Sequence, residues 1–406
     1  MNRGSHAAGA ATSHDVVVVG ARAAGAATAF LLARAGLDVL LVERGPRGAD
    51  PLSTHALMHG AVVQLSRWGL LDRIVAAGTP PIERVTLRHQ GGVIVATVRS
   101  AGIDAVYAPR RTVLDPVLIE AAEAHGAEVR HGASVVDVLR SPSGRVVGVR
   151  GHTADGDAFR ATGRIVVGAD GLRSRIAELV DAPIERVGRA GSAIAYGYWD
   201  GLPTDGCEWN FHPGAVSGAF RTNDGLTCVL AATTPQRLER HGPDVLERVV
   251  AESSPDLSHR MWAAGPASAV RTFAGPPGHV RRSHGPGWAL VGDAGQHTDP
   301  LGSHGIAAAL RDAELLAGAI VTAFDGEADE TDALAAYQAR RDELSADLFD
   351  IVDTLATHAW TAVEIGPLLH RLNGAMAREA AAVACFPLLP ERRRAAAEPF
   401  SRCWVA

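Results

Sequence analysis

The sequence predicts an α/β fold in which helices cover a parallel sheet, an antiparallel β domain is inserted, and a helical segment follows. Three observations predict it. Apolar strands near residues 15–19 and 38–42 flank a glycine turn and an alanine-rich helix, the pattern of a parallel βαβ unit. Short strands rich in aromatic residues and glycine turns occupy residues 184–269, as in an antiparallel sheet. From about Gly305 onward the pattern is almost entirely helical.

These patterns divide the chain into segments. We expect a disordered tail at 1–14, a discontinuous parallel-sheet domain at 15–79, 101–183 and 270–325, a substrate domain at 80–100 and 184–269, and a helical segment at 326–406.

Composition and charge narrow the functional class. The 45 acidic and 39 basic residues give a formal charge of −6 without a long basic block, so we expect a small-molecule partner and no nucleic acid. The chain contains no lysine, which excludes a mechanism built on a lysine amine. No uncharged apolar run approaches the roughly 20 residues of a spanning helix, so no membrane span is expected. The oligomeric state stays open.

The spacing of the four cysteines indicates the cellular compartment in which the protein works. Cys207, Cys228, Cys385 and Cys403 are widely separated, and none has zinc-ligand spacing with another cysteine or a histidine. We therefore expect a reduced, cytoplasmic protein without a bound metal.

The first glycine turn carries an incomplete nucleotide fingerprint. Gly20 and Gly25 occupy the first and third glycine positions of G-x-G-x-x-G, while Arg22 occupies the second. Glu43 ends the next strand, 43 − 20 = 23 residues beyond Gly20, where a carboxylate normally binds a ribose. The motif indicates a dinucleotide without choosing which one. The alternative is an ordinary glycine turn, with Glu43 merely capping an element.

A second set of motifs makes that choice. Gly168-Ala169-Asp170-Gly171 ends one strand, and Gly292-Asp293-Ala294 ends another, continuing through Pro300 to Gly305. With the Arg111-x-x-Leu114 segment, this order resembles the FAD-dependent monooxygenases related to p-hydroxybenzoate hydroxylase. The resemblance extends from Val16 to about Ala317 and implies a GxGxxG-type FAD-binding domain.

The resemblance also implies roles for individual residues. Asp293 should hydrogen-bond the FAD ribityl chain, although an N-cap role would also explain an Asp before a helix. The helix that begins at Gly305 should direct its N–H groups at the flavin pyrimidine edge. Arg111 should lie near the FAD phosphates, unless it forms a surface salt bridge. The expected FAD-binding set is Gly20, Arg22, Ala24, Gly25, Glu43, Arg44, Arg111, Val136, Asp170, Asp293, Gly305 and Ile306.

Residues near the reactive ring depart from the family pattern at Asp299-Pro300, Ser303-His304-Gly305 and Ala307. We assign candidate catalytic roles to His297 and Pro300, and candidate substrate contacts to His55, Trp209, Phe211 and Phe220. With 17 histidines in the chain, ordinary buried histidines are a strong alternative, and core packing explains the aromatic residues equally well.

The expected activity is monooxygenation of an aromatic or polyketide-like small molecule with O₂, with NAD(P)H as a transient electron donor. A dehydrogenase or reductase without oxygen insertion is the main alternative. A flavin halogenase ranks low because the chain lacks both lysine and a Trp-x-Trp-x-Ile motif. A noncatalytic flavoprotein is a further alternative.

Overall fold

The computed structural model describes residues 12–99 and 102–392. Most of the expected tail, 1–11, and the last part of the expected helical segment, 393–406, lie outside the described residues. Residues 12–14 contradict the expected tail, because they begin the first strand and pair in register with residues 161–163.

The helices of the described chain are α1 (Ala23–Arg34), α2 (His59–Arg67), α3 (Leu71–Ala76), α4 (Arg111–Ala124), α5 (Arg175–Leu179), α6 (Pro235–His241), α7 (Val245–Ser253), α8 (Pro255–Ala264), α9 (Gly305–Phe324), α10 (Glu330–Ala356) and α11 (Ile365–Ala384).

The strands are β1 (Thr12–Val19), β2 (Val39–Val42), β3 (Pro81–Ile82), β4 (Arg84–His89), β5 (Gly92–Thr97), β6 (Val106–Tyr107), β7 (Glu128–Arg130), β8 (Ala133–Arg140), β9 (Val146–Thr153), β10 (Ala158–Gly168), β11 (Ile184–Val187), β12 (Ala193–Asp200), β13 (Cys207–His212), β14 (Ala215–Arg221), β15 (Leu226–Thr233), β16 (Arg271–Ala274), β17 (His279–Arg281), β18 (His284–Gly285), β19 (Trp288–Leu290) and β20 (Gln296–His297).

The parallel core has the strand order β19-β10-β1-β2-β7 and confirms the predicted fold class. The apolar residues of β1 and β2 are buried because α1, α4 and α9 cover one face and a second apolar cluster covers the other. The sequence pattern predicts separate strands at 158–162 and 164–168, whereas the structure has one continuous strand, β10. Its residues 158–162 pair antiparallel with β9, and its residues 161–168 pair parallel with β1.

A seven-stranded sheet, β16-β12-β15-β14-β13-β4-β5, forms the antiparallel layer, with one parallel pair between β4 and β13. Two strands differ from the expected segments. Strand β16 joins this sheet although it lies beyond residue 269, whereas β11 pairs with β17 in a separate small sheet. Helices α7 and α8 pack on the outer face of the seven-stranded sheet, and its aromatic inner face joins the main core.

Helices α9, α10 and α11 pack against one another, and α11 also packs on α2. After α11 the described residues 386–392 are not helical, which shortens the expected helical segment. Among the described residues, no helix is both long and apolar enough to cross a membrane.

Candidate active site

The first glycine turn brings the end of β1, the start of α1 and the end of β10 into close contact. Gly20 has a φ of +104°, and a β-carbon there would lie 2.4 Å from the Ala169 carbonyl oxygen. A β-carbon at Gly25 would lie 1.8 Å from the Gly20 carbonyl oxygen. Only glycine fits at these two positions, whereas Arg22 has an exposed side chain directly before α1. The fingerprint is therefore intact where backbone packing requires it.

Glu43 is held at the edge of this turn. Its two carboxylate oxygens accept the backbone N–H groups of Ala21 and Gly45, each at 2.8 Å. A carboxylate has about four acceptor positions, so these two bonds leave room for a pair of hydroxyl donors. Arg44, the next residue, is exposed.

Arg111 forms a buried ion pair at the start of α4, which differs from the surface salt bridge considered above. Its guanidinium donates to both carboxylate oxygens of Asp115, at 2.9 and 2.8 Å. Burial raises the pKa of Asp115, against the opposing effects of Arg111 and, more weakly, Arg22. The pair therefore lies within electrostatic reach of the glycine turn.

Asp170 caps α5 at the end of β10. It accepts hydrogen bonds from the Ser174 hydroxyl at 2.5 Å and from the N–H groups of Arg175 and Ile176 at 2.7 and 3.1 Å. Val136, expected near an adenine, is 41% exposed at an irregularity of β8.

The starts of α1 and α9 meet beside Asp293, and the region between the Gly20–Gly25 turn, Glu43 and the start of α9 is named the cofactor groove. A β-carbon at the preceding Gly292 would lie 2.8 Å from the Ala24 β-carbon and 3.6 Å from that of Ala309. Asp293 lies in a 3₁₀ turn, Gly292–Ala294, and the residue before α9 is His304, so Asp293 is not the N-cap of α9. Gly305 is exposed with open space around it, and Ile306 is half-buried. The N–H groups of the first helical turns attract an anion or a polarised carbonyl.

His297 lies next to this groove on β20. The residue is 5% exposed, and its Nδ1 is 3.4 Å from the nearer Asp293 carboxylate oxygen. Neither ring nitrogen satisfies hydrogen-bond geometry with a described residue. Burial acts to lower the pKa of His297, but Asp293 and Asp299 together raise it above the ordinary value. Pro300 opens the 3₁₀ turn that follows, and Asp299 caps that turn by accepting the Leu301 N–H.

His55 joins the loop after β2 to the inner face of the seven-stranded sheet. Its Nδ1 lies 3.1 Å from the Ala108 carbonyl oxygen and its Nε2 lies 2.9 Å from the Tyr198 hydroxyl. The carbonyl can only accept, so Nδ1 carries the proton and the hydroxyl donates to Nε2. Burial, with a smaller contribution from the Arg110 charge, lowers the pKa of His55 to about 3.

The three predicted aromatic residues share the inner face of this sheet and are buried. Trp209 stacks on Phe211 with ring centroids 6.4 Å apart, and Phe211 meets Trp360 edge-on at 6.3 Å. Phe220 meets the His55 ring edge-on at 5.9 Å. The structure thus brings His55 and Phe220 together, and it places Phe211, on which Trp209 stacks, against Trp360 in the segment before α11.

Sequence reasoning missed three residues of this region. Tyr198 stacks on His55, and the Arg110 guanidinium lies 4.1 Å from the centroid of its ring. Asp50 accepts from Arg110 at 3.0 Å and from Arg271 at 3.2 Å, which ties the loop to β16. The two tyrosines of β12 could have indicated Tyr198 as a site residue, whereas no pattern in the neighbouring sequence indicates Asp50.

A separate groove of about 680 Å³ lies on the outer face of the sheet, and none of the predicted site residues lines it. Its buried Glu208 is already paired with Arg260 at 2.8 Å and with Arg88 at 3.2 Å. Among the residues that the structure describes, no cluster of three or more His, Cys, Asp or Glu could hold a metal ion.

The residues of the cofactor groove fit a flavin dinucleotide. Close packing excludes a β-carbon at Gly20 and Gly25, Glu43 keeps acceptor positions for a ribose, and both nitrogens of the buried His297 ring lack hydrogen-bond partners among the described residues. Two helix starts converge there, which suits a pyrophosphate and a ring that gains negative charge on reduction. Fold and site together define a flavin-dependent oxidoreductase.

The chain belongs to the family described as FAD binding domain, which it matches over residues 13–352. It is an FAD-dependent enzyme, and the match confirms both the predicted cofactor and the resemblance to p-hydroxybenzoate hydroxylase-like monooxygenases.

Sequence relatives include oxygenases and reductases. The kynurenine 3-monooxygenase of Salinispora arenicola is 28% identical over 93% of this chain and 85% of its own. The digeranylgeranylglycerophospholipid reductase 1 of Methanopyrus kandleri is 30% identical over 84% of this chain and 89% of its own. The menaquinone reductase of Mycolicibacterium smegmatis is 28% identical over 73% of each chain.

Two solved structures share the fold. PqsL of Pseudomonas aeruginosa, a probable FAD-dependent monooxygenase, superposes with a TM-score of 0.75 at 21% identity, over 90% of this chain and 99% of its own. The flavin-dependent brominase Bmp2 gives 0.79 at 20% identity, over 92% of this chain and 94% of its own. At these identities the likeness concerns the fold alone.

Proposed function

We propose that this protein is an NAD(P)H-dependent monooxygenase that inserts one atom of O₂ into an aromatic or polyketide-like small molecule. The observation that supports the proposal is the aromatic inner face of the seven-stranded sheet, where the rings of His55, Tyr198 and Phe220 meet. Such a face excludes water and stacks on a flat apolar substrate. FAD, when bound, supplies the ring that accepts hydride and reacts with O₂.

The chain's own residues bind and orient the reactants in this proposal. Glu43 holds the adenosine ribose, Asp293 holds the ribityl chain, and the first turn of α9 faces the pyrimidine edge. Arg22, Ala24, Arg44, Arg111 and Val136 complete the cofactor contacts, and Asp170 supports the turn at Gly20. His297 donates a proton or orients a polar group of the substrate, and the backbone at Pro300 shapes the reactive face.

NAD(P)H docks transiently because the sequence has only one dinucleotide fingerprint. Cys207, Cys228 and Cys385 are free thiols, which supports action in the reducing cytoplasm.

A second candidate is an FAD-dependent reductase that saturates a double bond without inserting oxygen. Two of the relatives named above are reductases, and buried His297 and Asp299 beside the groove could deliver the proton such a reaction needs. The halogenase alternative loses further support from the absence of lysine, although the brominase shares the fold.

Labelled oxygen separates the two candidates. Purified FAD-loaded protein is incubated with NADPH or NADH, ¹⁸O₂ and a panel of aromatic and polyketide-like compounds, and products are analysed by mass spectrometry. The monooxygenase proposal predicts that a compound which accelerates NAD(P)H oxidation gains one ¹⁸O atom. A product two hydrogens heavier and free of ¹⁸O would establish the reductase instead. The Gly25→Ala variant, which we expect not to bind FAD, is the control for oxidation that does not depend on the flavin.

A further inference from the structure

Two arginines meet one carboxylate at the edge of the aromatic inner face. Arg271 lies on the edge strand β16, directly opposite Tyr196 of β12, so both side chains are on the inner face. The guanidinium of Arg110, the residue before α4, lies over the ring of Tyr198 at 4.1 Å. Both guanidiniums donate to the same oxygen of Asp50, Oδ2, at 3.0 Å from Arg110 and 3.2 Å from Arg271. These three residues form one Arg–Asp–Arg cluster beside the two tyrosines.

The Arg–Asp–Arg cluster carries more positive than negative charge. Among the described residues, Asp50 is the only carboxylate that pairs with either guanidinium, so one positive charge is left unbalanced. The neighbouring groups do not change this excess. Arg111 is paired with Asp115, and His55 is neutral because burial lowers its pKa to about 3. Two guanidiniums with a single counter-charge attract a second anion.

Both guanidiniums are accessible to such an anion. The side chain of Arg110 is 17% exposed, and its Nε has no hydrogen-bond partner among the described residues. The side chain of Arg271 is 37% exposed, and its two Nη atoms donate to Asp50 and to the Tyr196 hydroxyl. A buried N–H group without a partner in the protein is typically bound by a ligand or by water. The cluster therefore combines an excess of positive charge with an unused donor.

We propose that Arg110 and Arg271 bind a carboxylate of the substrate, so that the substrate is an aromatic carboxylic acid rather than a neutral aromatic compound. The planar fork of a guanidinium matches the two oxygens of a carboxylate. The ring of the ligand then stacks on the aromatic inner face beside Tyr198. Asp50 competes with the ligand for the same two guanidiniums. The inference rests on the proposed function in taking this inner face as the place of the substrate.

Matched acids and amides test this preference for a carboxylate. FAD-loaded protein is titrated calorimetrically with benzoate and benzamide, and with naphthoate and naphthamide, because the members of each pair have nearly the same size and differ in charge. The wild type should bind each acid more tightly than its amide. Arg110→Gln and Arg271→Gln should each reduce this preference by about tenfold or more, because each removes a charged hydrogen-bond donor.

Two further variants control for charge and for position. Arg271→Lys keeps the positive charge without the planar fork, so it should bind benzoate more tightly than Arg271→Gln does. Arg221→Gln is the matched control, because Arg221 is an exposed arginine that ends β14 of the same sheet, and the alternation along this strand directs it away from the inner face. It should keep the wild-type preference for the acids.

The Asp50→Asn variant tests the direction of the effect. It removes the negative charge that competes for both guanidiniums, so the preference for the acids should rise severalfold. A cluster that serves only to tie the loop to β16 would behave differently. Asp50→Asn would then lower the melting temperature and leave the preference for the acids unchanged.

Three results would overturn the inference: no preference for the acids in the wild type, an undiminished preference in both folded Gln variants, or a preference in folded Asp50→Asn no higher than in the wild type. The phosphates of NAD(P)H are the other source of an anion for these arginines. Weaker NADPH binding in Arg110→Gln and Arg271→Gln, with an undiminished preference for the acids, would assign the cluster to the nucleotide instead.

The failure of the proposed function is visible separately. An acid whose binding depends on Arg110 and Arg271 but which gains no ¹⁸O would overturn the monooxygenase and leave the carboxylate site standing. Insertion of ¹⁸O into neutral compounds, by a wild type without preference for the acids, would overturn the carboxylate site alone.

Discussion

The neutral, buried His55 should make the protein sensitive to mild acid. Its folded pKa of about 3 lies well below the unfolded value of 6.5, so between these pH values the unfolded chain binds a proton that the folded chain does not. The contribution of neutral His55 to the free energy of unfolding is therefore fully present above pH 6.5 and is lost as the pH falls towards 3. At pH 5 the loss from His55 alone, relative to pH 7, amounts to about 2 kcal/mol.

The His55→Asn variant isolates this effect. His55 has a φ of +45°, a conformation that asparagine tolerates better than most residues, and the amide does not titrate in this range. The variant should be less stable at pH 7 by about 1–3 kcal/mol, because the Tyr198 hydroxyl loses its buried acceptor. Its further loss between pH 7 and pH 5 should be smaller than that of the wild type by about 2 kcal/mol.

Urea unfolding at the two pH values, followed by tryptophan fluorescence, measures both quantities. His279 and His358, whose pKa values are also lowered by burial, contribute a background that the wild type and the variant share. The exposed His152→Asn is the matched control and should keep the wild-type pH dependence. Equal pH dependence in His55→Asn and the wild type would refute the assignment of His55 as a buried neutral ring.

Two further predictions concern the cofactor groove and its support. Gly25→Ala places a β-carbon 1.8 Å from the Gly20 carbonyl oxygen, so the glycine turn must open. The affinity for FAD should then fall more than about tenfold, as measured by quenching of the flavin fluorescence. Glu379→Gln removes the carboxylate that lies 2.6 Å from both His304 and Arg311 in the interior. Urea unfolding should show a loss of about 3 kcal/mol or more, because among the described residues Arg311 then keeps only Asp312 as a buried counter-charge.

The sequence predicted the features that depend on local pattern. The βαβ unit around Gly20 and Gly25 is readable because glycine is the only residue that fits the close approach there, and apolar strands signal a sheet covered on both faces. The antiparallel layer was readable from its aromatic alternation. The strands at the edges of this layer could not be predicted, because β16 joins the seven-stranded sheet and β11 does not, although nothing in their composition distinguishes them.

The candidate site was predictable only in part. Glu43 and Asp293 occupy positions fixed by the motifs, and the structure places both at the groove where the two helix starts meet. Asp50 was not predictable, because its role depends on Arg110 and Arg271, 60 and 221 residues further along the chain. Likewise, no local pattern connects Ser192 with Asp299, since their contact spans 107 residues.

The most direct test of the account is a visible absorption spectrum of the purified protein, recorded after reconstitution with FAD and followed in air during addition of NADPH or NADH. The protein should show a bound flavin spectrum that bleaches on reduction and returns with O₂, faster when a substrate is present. A colourless protein that does not retain added FAD would contradict the central claim.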